Sequence, residues 1–420
     1  LVLAVAPLPF ASNRAWAWTL LALLVGVLCA TWPLARRGDA DLLPIPVSYF
    51  AVPGVLFGMA LLWGFVQTLS TMPEALQHPI WSQTARALGQ SVEGRIGLDP
   101  LAAESRLMRL VAYAGIFWLA AQHAASGRRA RALVDACAVF GAVYAAYGLA
   151  LFLSDSETIL GYEKWAYRDS LTSTFVNRNH FATFAGICAI CAASALAQRL
   201  GGGSSAWVRI TQGDALVYAV AVAILLVATV ATASRAGVAS VAIGFAAWFV
   251  ARADVALVRR AAALAIVATG VAGALFVVFD WRDESTLVGD VSMRLHVYEI
   301  SVAAIETRPW LGYGFGSFPA VFAALRTPGI AQVWNEAHNV YLELAIELGV
   351  PAGLAFLASL FWIVVICARA RASSAACVAL AAAATIAVHS TVDFSVQMPA
   401  VAALWAALLG AGYGRAWMHR

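Results

Sequence analysis

The chain has 420 residues, of which 62% are hydrophobic and 12% charged, with a formal net charge of +4 and a mean hydropathy of +0.79. That balance excludes an ordinary soluble globular protein, in which about a quarter of residues are charged. It also argues against nucleic-acid binding, which wants a clustered basic face on a soluble domain.

Segments of about 20 apolar residues, enough to cross a hydrocarbon core of roughly 30 Å, recur along the chain. In order they are 15–35, 47–69, 107–125, 132–153, 176–196, 215–233, 237–250, 261–279, 340–367, 373–392 and 400–418. Residues 1–10 read as the end of another span, and a start on Leu rather than Met points to a trimmed chain. The expected fold is all-α, a single integral membrane domain over 1–420 with about twelve transmembrane helices, because a helix meets its backbone hydrogen bonds internally and lipid offers none.

Orientation follows from the short connections. Arg36-Arg37, Arg128-Arg129 with Arg131, Arg199 with Arg209, Arg252 with Arg259-Arg260, Arg369 with Arg371, and the tail Arg415 and Arg420 fall on one side if the spans alternate. The positive-inside rule makes that side cytoplasmic. The longer connections 70–106, 154–175 and 280–338 then face outward, the last as a large periplasmic-type loop with amphipathic helices. Asp39 and Asp41 sit beside Arg36-Arg37 and read as a solvated cytoplasmic loop. The Gly-rich run 201–205 reads as a flexible linker. The six cysteines lie in or beside apolar spans. Cys188 and Cys191 have redox-like spacing but read as small apolar residues in mid-helix.

Polar clusters gather on the outward side. The first is Thr174-Phe-Val-Asn177-Arg178-Asn179-His180-Phe181, and the second is Thr232-Ala-Ser234-Arg235-Ala-Gly237 in a tight turn between apolar helices. Arg235 cannot discharge and needs an anion or water; a snorkelling arginine at a helix end is the competing reading. Arg294 opens a helical stretch with Tyr298, Ser301 and Ile305 on one line and Val297, Ile300 and Ala304 on the next, ended by Arg308-Pro309. It reads as a helix on the outer membrane surface, where Arg294 is either an anion contact or an interfacial charge. Trp310-Leu-Gly312-Tyr-Gly314-Phe-Gly316 alternates glycine but lacks the strand a dinucleotide fingerprint needs, so it reads as a turn letting backbone approach a ligand or another helix.

The last cluster is Trp334-Asn-Glu-Ala-His338-Asn339-Val-Tyr341-Leu-Glu343 with Glu347. His338 can accept a proton near neutral pH, or it caps a helix at an interface. Glu343 and Glu347 lie inside a span, where an ionisable group is expensive and pairs with arginine in the bundle interior. His389 and Asp393 are explained adequately by interfacial positions. Arginines and a histidine on one face suit a lipid-linked diphosphate, since guanidinium binds phosphate bidentately and stabilises a leaving diphosphate without a metal. Asp280, Asp283 and Glu284 leave a metal route open but unforced.

The segments Arg308-Pro-Trp-Leu-Gly312-Tyr-Gly314-Phe-Gly316-Ser-Phe318 and His338-Asn339-Val-Tyr341-Leu-Glu343 through Glu347-Leu-Gly349 resemble the shared domain of bacterial O-antigen ligases and O-antigen polymerases. Thr232-Ala-Ser-Arg235-Ala-Gly237 resembles that domain's opening arginine motif, so the likeness is strongest over 233–351. Pro7-Leu-Pro-Phe10 with Asn13-Arg14-Ala-Trp16, and Phe175-Val-Asn177-Arg178-Asn179-His180, resemble patterns common in the same group. The resemblance implies a GT-C-like, multi-pass glycosyltransferase of the bacterial inner membrane with its active site facing the periplasm. It would take a glycan from undecaprenyl diphosphate to lipid A–core, with inversion, no metal and no cofactor. The resemblance also implies that Arg235 and Arg294 hold the diphosphate and His338 orients or deprotonates the acceptor hydroxyl. Arg178, Asn179, His180, Asn339, Tyr341, Gly314 and Gly316 would form the rest of the substrate site. Polysaccharide polymerisation and transfer to a protein share this chemistry, and an anion or lipid transporter is the more distant alternative.

Overall fold

The computed structural model describes residues 1–37, 45–200, 213–252, 284–326 and 332–418. The expected span 261–279, the linker 201–205, Asp39, Asp41, Asp280 and Asp283 lie outside the described residues.

The helices are α1 (Val2–Val5), α2 (Ala15–Arg37), α3 (Ala51–Val66), α4 (Ile80–Leu88), α5 (Pro100–His123), α6 (Gly127–Leu153), α7 (Arg178–Arg199), α8 (Ala215–Ala231), α9 (Arg235–Arg252), α10 (Glu284–Thr307), α11 (Phe318–Leu325), α12 (Val340–Leu348), α13 (Val350–Ala368), α14 (Ser374–His389) and α15 (Pro399–Met418). The described strands, β1 (Thr158–Ile159) and β2 (Tyr162–Glu163), form one small antiparallel hairpin in the connection 154–175. The all-α polytopic expectation therefore holds. Among the described residues, six helices are long and apolar enough to cross a membrane, and α8 and α14 are shorter apolar helices.

Two helices form the interior. α7 packs against α6, α8, α9 and α14, and α15 packs against α5, α13 and α14. Most of both is buried: Phe181, Phe184, Ile187 and Ile190 on α7, and Leu404, Leu408 and Tyr413 on α15. Lipid gives no hydrophobic drive between helices, so close approach through small residues does the work. Gly410 and Gly414, four apart on α15, lie directly against the backbone carbonyls of Phe117 and Ala121 on α5. Any Cβ there would collide with backbone.

Two expectations are corrected by the backbone. The span 340–367 is not one helix: Gly349, at φ +76°, separates α12 from α13. The span 107–125 begins earlier, at Pro100, where the Asp99 carboxylate accepts the Ala102 N–H at 2.9 Å and proline fills the first helical position. The turns added before residue 107 carry Glu104 and Arg106, charges that an apolar span does not include. Residues 1–10 hold one turn of helix, followed by left-handed backbone at Phe10, Ala11 and Ser12.

Candidate functional site

Helices α7 and α9 begin at one end of the bundle, where α14 finishes and α12 starts, so the outward clusters of the sequence are brought to a common end. Asn177 caps α7 through its side chain, which accepts the Asn179 N–H at 2.8 Å. Asn339 caps α12, accepting the Tyr341 and Leu342 N–H groups at 3.1 Å each. Helix N-termini present partial positive charge, so this end favours an anion before any side chain is counted.

The hub is Asp393, in the turn after α14 and only 1% exposed. Its carboxylate accepts the Asn179 amide at 3.0 Å and the Ser395 hydroxyl, and it lies 3.7 Å from His180 Nε2 and 4.0 Å from His338 Nδ1. His389 joins through Ser395 at 3.3 Å and meets Thr183 at 2.6 Å. Burial alone would raise the Asp393 carboxyl; His180, His389, the Ser395 bond and His338 together hold it below the usual carboxylate range. The Phe394 ring stands edge-on between two imidazoles, 4.7 Å from His180 and 4.8 Å from His338. Trp334 closes the other side of His338 at 4.9 Å. His338 itself sits at φ +53°, a conformation uncommon for a side-chain-bearing residue and worth tying to function.

The remaining candidates attach to this hub at different ranges. The Ser234 hydroxyl donates to Asn179 at 2.7 Å, which places Arg235, the next residue, at the rim of the cluster. Arg294 donates to the Val392 carbonyl at 3.1 Å, and Tyr298 on the same helix donates to the carbonyls of His338 and Thr391 at 3.1 Å. Arg178 faces the hairpin connection, over the Tyr167 ring at 5.6 Å and against Ser170 at 3.4 Å. Tyr341 donates to the Ala387 carbonyl at 2.7 Å. Gly314 and Gly316 stand apart from the hub. Both are left-handed, and the space beside them is taken by the chain itself: a Cβ on Gly314 would lie 2.5 Å from the Gly97 Cα, and one on Gly316 3.0 Å from the Ala102 side chain.

Two cavities adjoin the hub. One of about 300 Å³ is of mixed character, lined by Asn177, His180, Asn335, Glu336 and Gln397 together with Phe10, Phe175 and Phe394. The other, about 710 Å³, is overwhelmingly apolar and runs between α3, α5, α13, α14 and α15. Arg109 and Gln397 line both. Beside them Arg106 bonds Glu336 at 2.9 Å, Glu343 at 3.3 Å and Gln397 at 2.6 Å. Glu343, 1% exposed, also accepts the Ala337 N–H at 3.0 Å, and Glu347 accepts the Phe318 N–H at 3.2 Å. The expected pairing of an intramembrane acid with arginine is met by Glu343, on the short helix α12 rather than on a long span. Among the described residues no group of three or more His, Cys, Asp or Glu side chains is arranged to hold a metal ion.

Asp393 and His389 belong to the centre of the cluster, beyond a merely interfacial position. Interfacial exposure does not describe them, since each is 1% exposed. Arg106 and Arg109 join the site from α5, outside every polar cluster singled out in the sequence. A signal did exist: Arg106 and Arg109 are three apart, one helical turn, immediately before an apolar run, which puts two guanidiniums on one face of a helix at the membrane edge.

Together these features define a polytopic α-helical membrane protein with a histidine–aspartate cluster at one end, flanked by arginines. Residues 220–357 match the family model described as O-antigen ligase, a match that supports the likeness to O-antigen ligases and polymerases, which are glycosyltransferase-like enzymes. The matched stretch contains Arg235, Arg294 and His338. No curated protein matches the chain.

Proposed function

We propose that the protein is a membrane glycosyltransferase that moves a glycan from a polyprenyl diphosphate to an acceptor hydroxyl, acting as an O-antigen ligase toward lipid A–core. The reaction takes place on the periplasmic side of the inner membrane, inverts the anomeric centre and uses no metal. The observation that carries the reading is the approach of the His338 imidazole to the buried Asp393 carboxylate, 4.0 Å apart, at an end of the bundle that also holds Arg235 and Arg294.

In the proposed reaction His338 accepts the acceptor hydroxyl's proton as its oxygen attacks the anomeric carbon. Asp393 orients the ring and stabilises the imidazolium that forms. The glycosyl–oxygen bond to the diphosphate breaks, and Arg235 and Arg294 take up the charge developing on the departing oxygen. Arg178, Asn179 and His180 line the approach. The polyprenyl chain lies in the apolar cavity, and Arg109, which lines both cavities, stands at the position of the lipid's charged head.

A lipopolysaccharide gel from a deletion strain tests the reading. Loss of every long-chain band, with the core band retained, is expected of a ligase. Core carrying a single repeat unit would instead make the protein a polymerase. An unchanged ladder with altered glycoproteins would make it a protein glycosyltransferase.

A further inference from the structure

At the end of the bundle opposite His338, α7, α9, α13 and α15 finish, and α6 and α14 begin. A polar cavity, of about 450 Å³, opens there. Four arginines line it, each from a different part of the chain: Arg131 near the start of α6, Arg252 closing α9, Arg371 between α13 and α14, and Arg415 in the last turn of α15.

Local contacts hold these groups in place. Arg415 donates to the Ala125 carbonyl, Arg371 Nε to the Ala368 carbonyl at 3.1 Å, and Arg252 stacks over Trp248 at 5.1 Å. A Cβ built on Gly127 would lie 3.5 Å from Arg415 Nη2 and 3.7 Å from Arg131 Nη1, so these two guanidiniums flank one small residue. No carboxylate side chain is among the described residues that line the cavity. Ser373 and Ser374, at the start of α14, add hydroxyls to the wall, and neither Ser126 nor Ser373 caps its own helix through its side chain.

Four guanidiniums around one cavity concentrate positive charge that a bound anion neutralises. The positive-inside tendency accounts for arginines on these connections. It does not require four of them to share one cavity, and Arg128, Arg129 and Arg369 on the same connections stay outside it. We infer that this cavity is a binding site for a phosphoryl group, which Arg131, Arg252, Arg371 and Arg415 grip through their planar donor forks. The ligand is either a lipid phosphate headgroup from the leaflet at this end or free inorganic phosphate. This site is independent of the transfer chemistry at the other end.

The test uses the full chain purified in a neutral detergent and its thermal unfolding with added phosphatidic acid, phosphatidylcholine or inorganic phosphate. Arg131 and Arg371 are exposed, so Arg131→Gln with Arg371→Gln disturbs little packing. Stabilisation by phosphatidic acid and not by phosphatidylcholine, weakened on the order of tenfold or more in apparent affinity by the double substitution, is the expected result for a lipid headgroup. The same pattern produced by inorganic phosphate alone assigns the site to the soluble ion. Replacement of both residues by lysine should restore part of the affinity, because the charge returns without the fork. Equal responses to both lipids with none to phosphate, or binding unchanged in the double glutamine variant, would overturn the site.

Discussion

At the scale of single residues, the fold concentrates its unusual chemistry on Asp393. A fully buried carboxylate is tolerated only where hydrogen bonds and opposite charge replace water, and Asn179, Ser395 and the surrounding imidazoles supply both. Asp393→Asn keeps the volume and removes the charge. Losing one charge-assisted contact is worth about 1.5–3 kcal/mol, so kcat is expected to fall on the order of tenfold to a hundredfold. In the proposed reaction Asp393 acts through His338 and not on the diphosphate, so the donor KM should change little; steady-state kinetics on the purified variant separate the two. His78 offers an independent test of the fold. Burial, and then the charge of Arg308, lowers its pKa from 6.5 to about 4, and its Nδ1 accepts the Ile80 N–H at 3.2 Å, which requires the neutral ring. A folded-state pKa below the unfolded value means that the contribution is intact above pH 6.5 and is lost as pH falls toward 4. Amide-exchange protection factors over residues 70–98 should drop through that window, and in His78→Gln they should no longer do so.

At the scale of elements, the break between α12 and α13 governs the site. Gly349 adopts φ +76°, and a Cβ there would lie 2.6 Å from the Trp310 carbonyl oxygen. Tyr313 donates its N–H to Ile346 at 2.9 Å and Gly314 donates to Glu347 at 3.0 Å, so the glycine turn zips onto the open carbonyl end of α12. Backbone at φ +76°, ψ 161° is essentially confined to glycine and costs another residue roughly 1–3 kcal/mol, before the clash is counted. Gly349→Ala should therefore lower the melting temperature and reduce transfer together, whereas Gly89→Ala, also left-handed but with open space around it, should lower stability less. This break was hidden in the sequence because Gly-Val-Pro interrupts neither the apolar run nor its length; hydropathy counts residues and does not register a φ angle. The helix starts were easier to read. Asn177 and Asn339 announce α7 and α12 because a capping side chain leaves a local signature.

At the scale of the whole molecule, apolar length and the sidedness of arginine were enough to read an all-α polytopic chain and to bring Arg178, Asn179, His180, Arg235, Arg294 and His338 to one end. The parts that stayed illegible depend on contacts between distant elements. Asp393 lies 214 residues from Asn179, and Arg106 lies 237 residues from Glu343. No local pattern records such a pairing, so a buried hub looks in sequence like an ordinary interfacial acid. The architecture also separates two tasks, with the transfer site proposed at one end and a phosphoryl grip at the other, joined by the buried α7 and α15.

The central claim is that His338 is the base that Asp393 orients, and reconstituted vesicles test it most directly. Wild-type protein and His338→Ala would be given a polyprenyl-diphosphate-linked glycan and lipid A–core, with folding checked by thermal melting. General-base removal should slow product formation by about 10²- to 10⁴-fold while the melting temperature stays close to wild type. A folded His338→Ala protein that transfers glycan at the wild-type rate would contradict it.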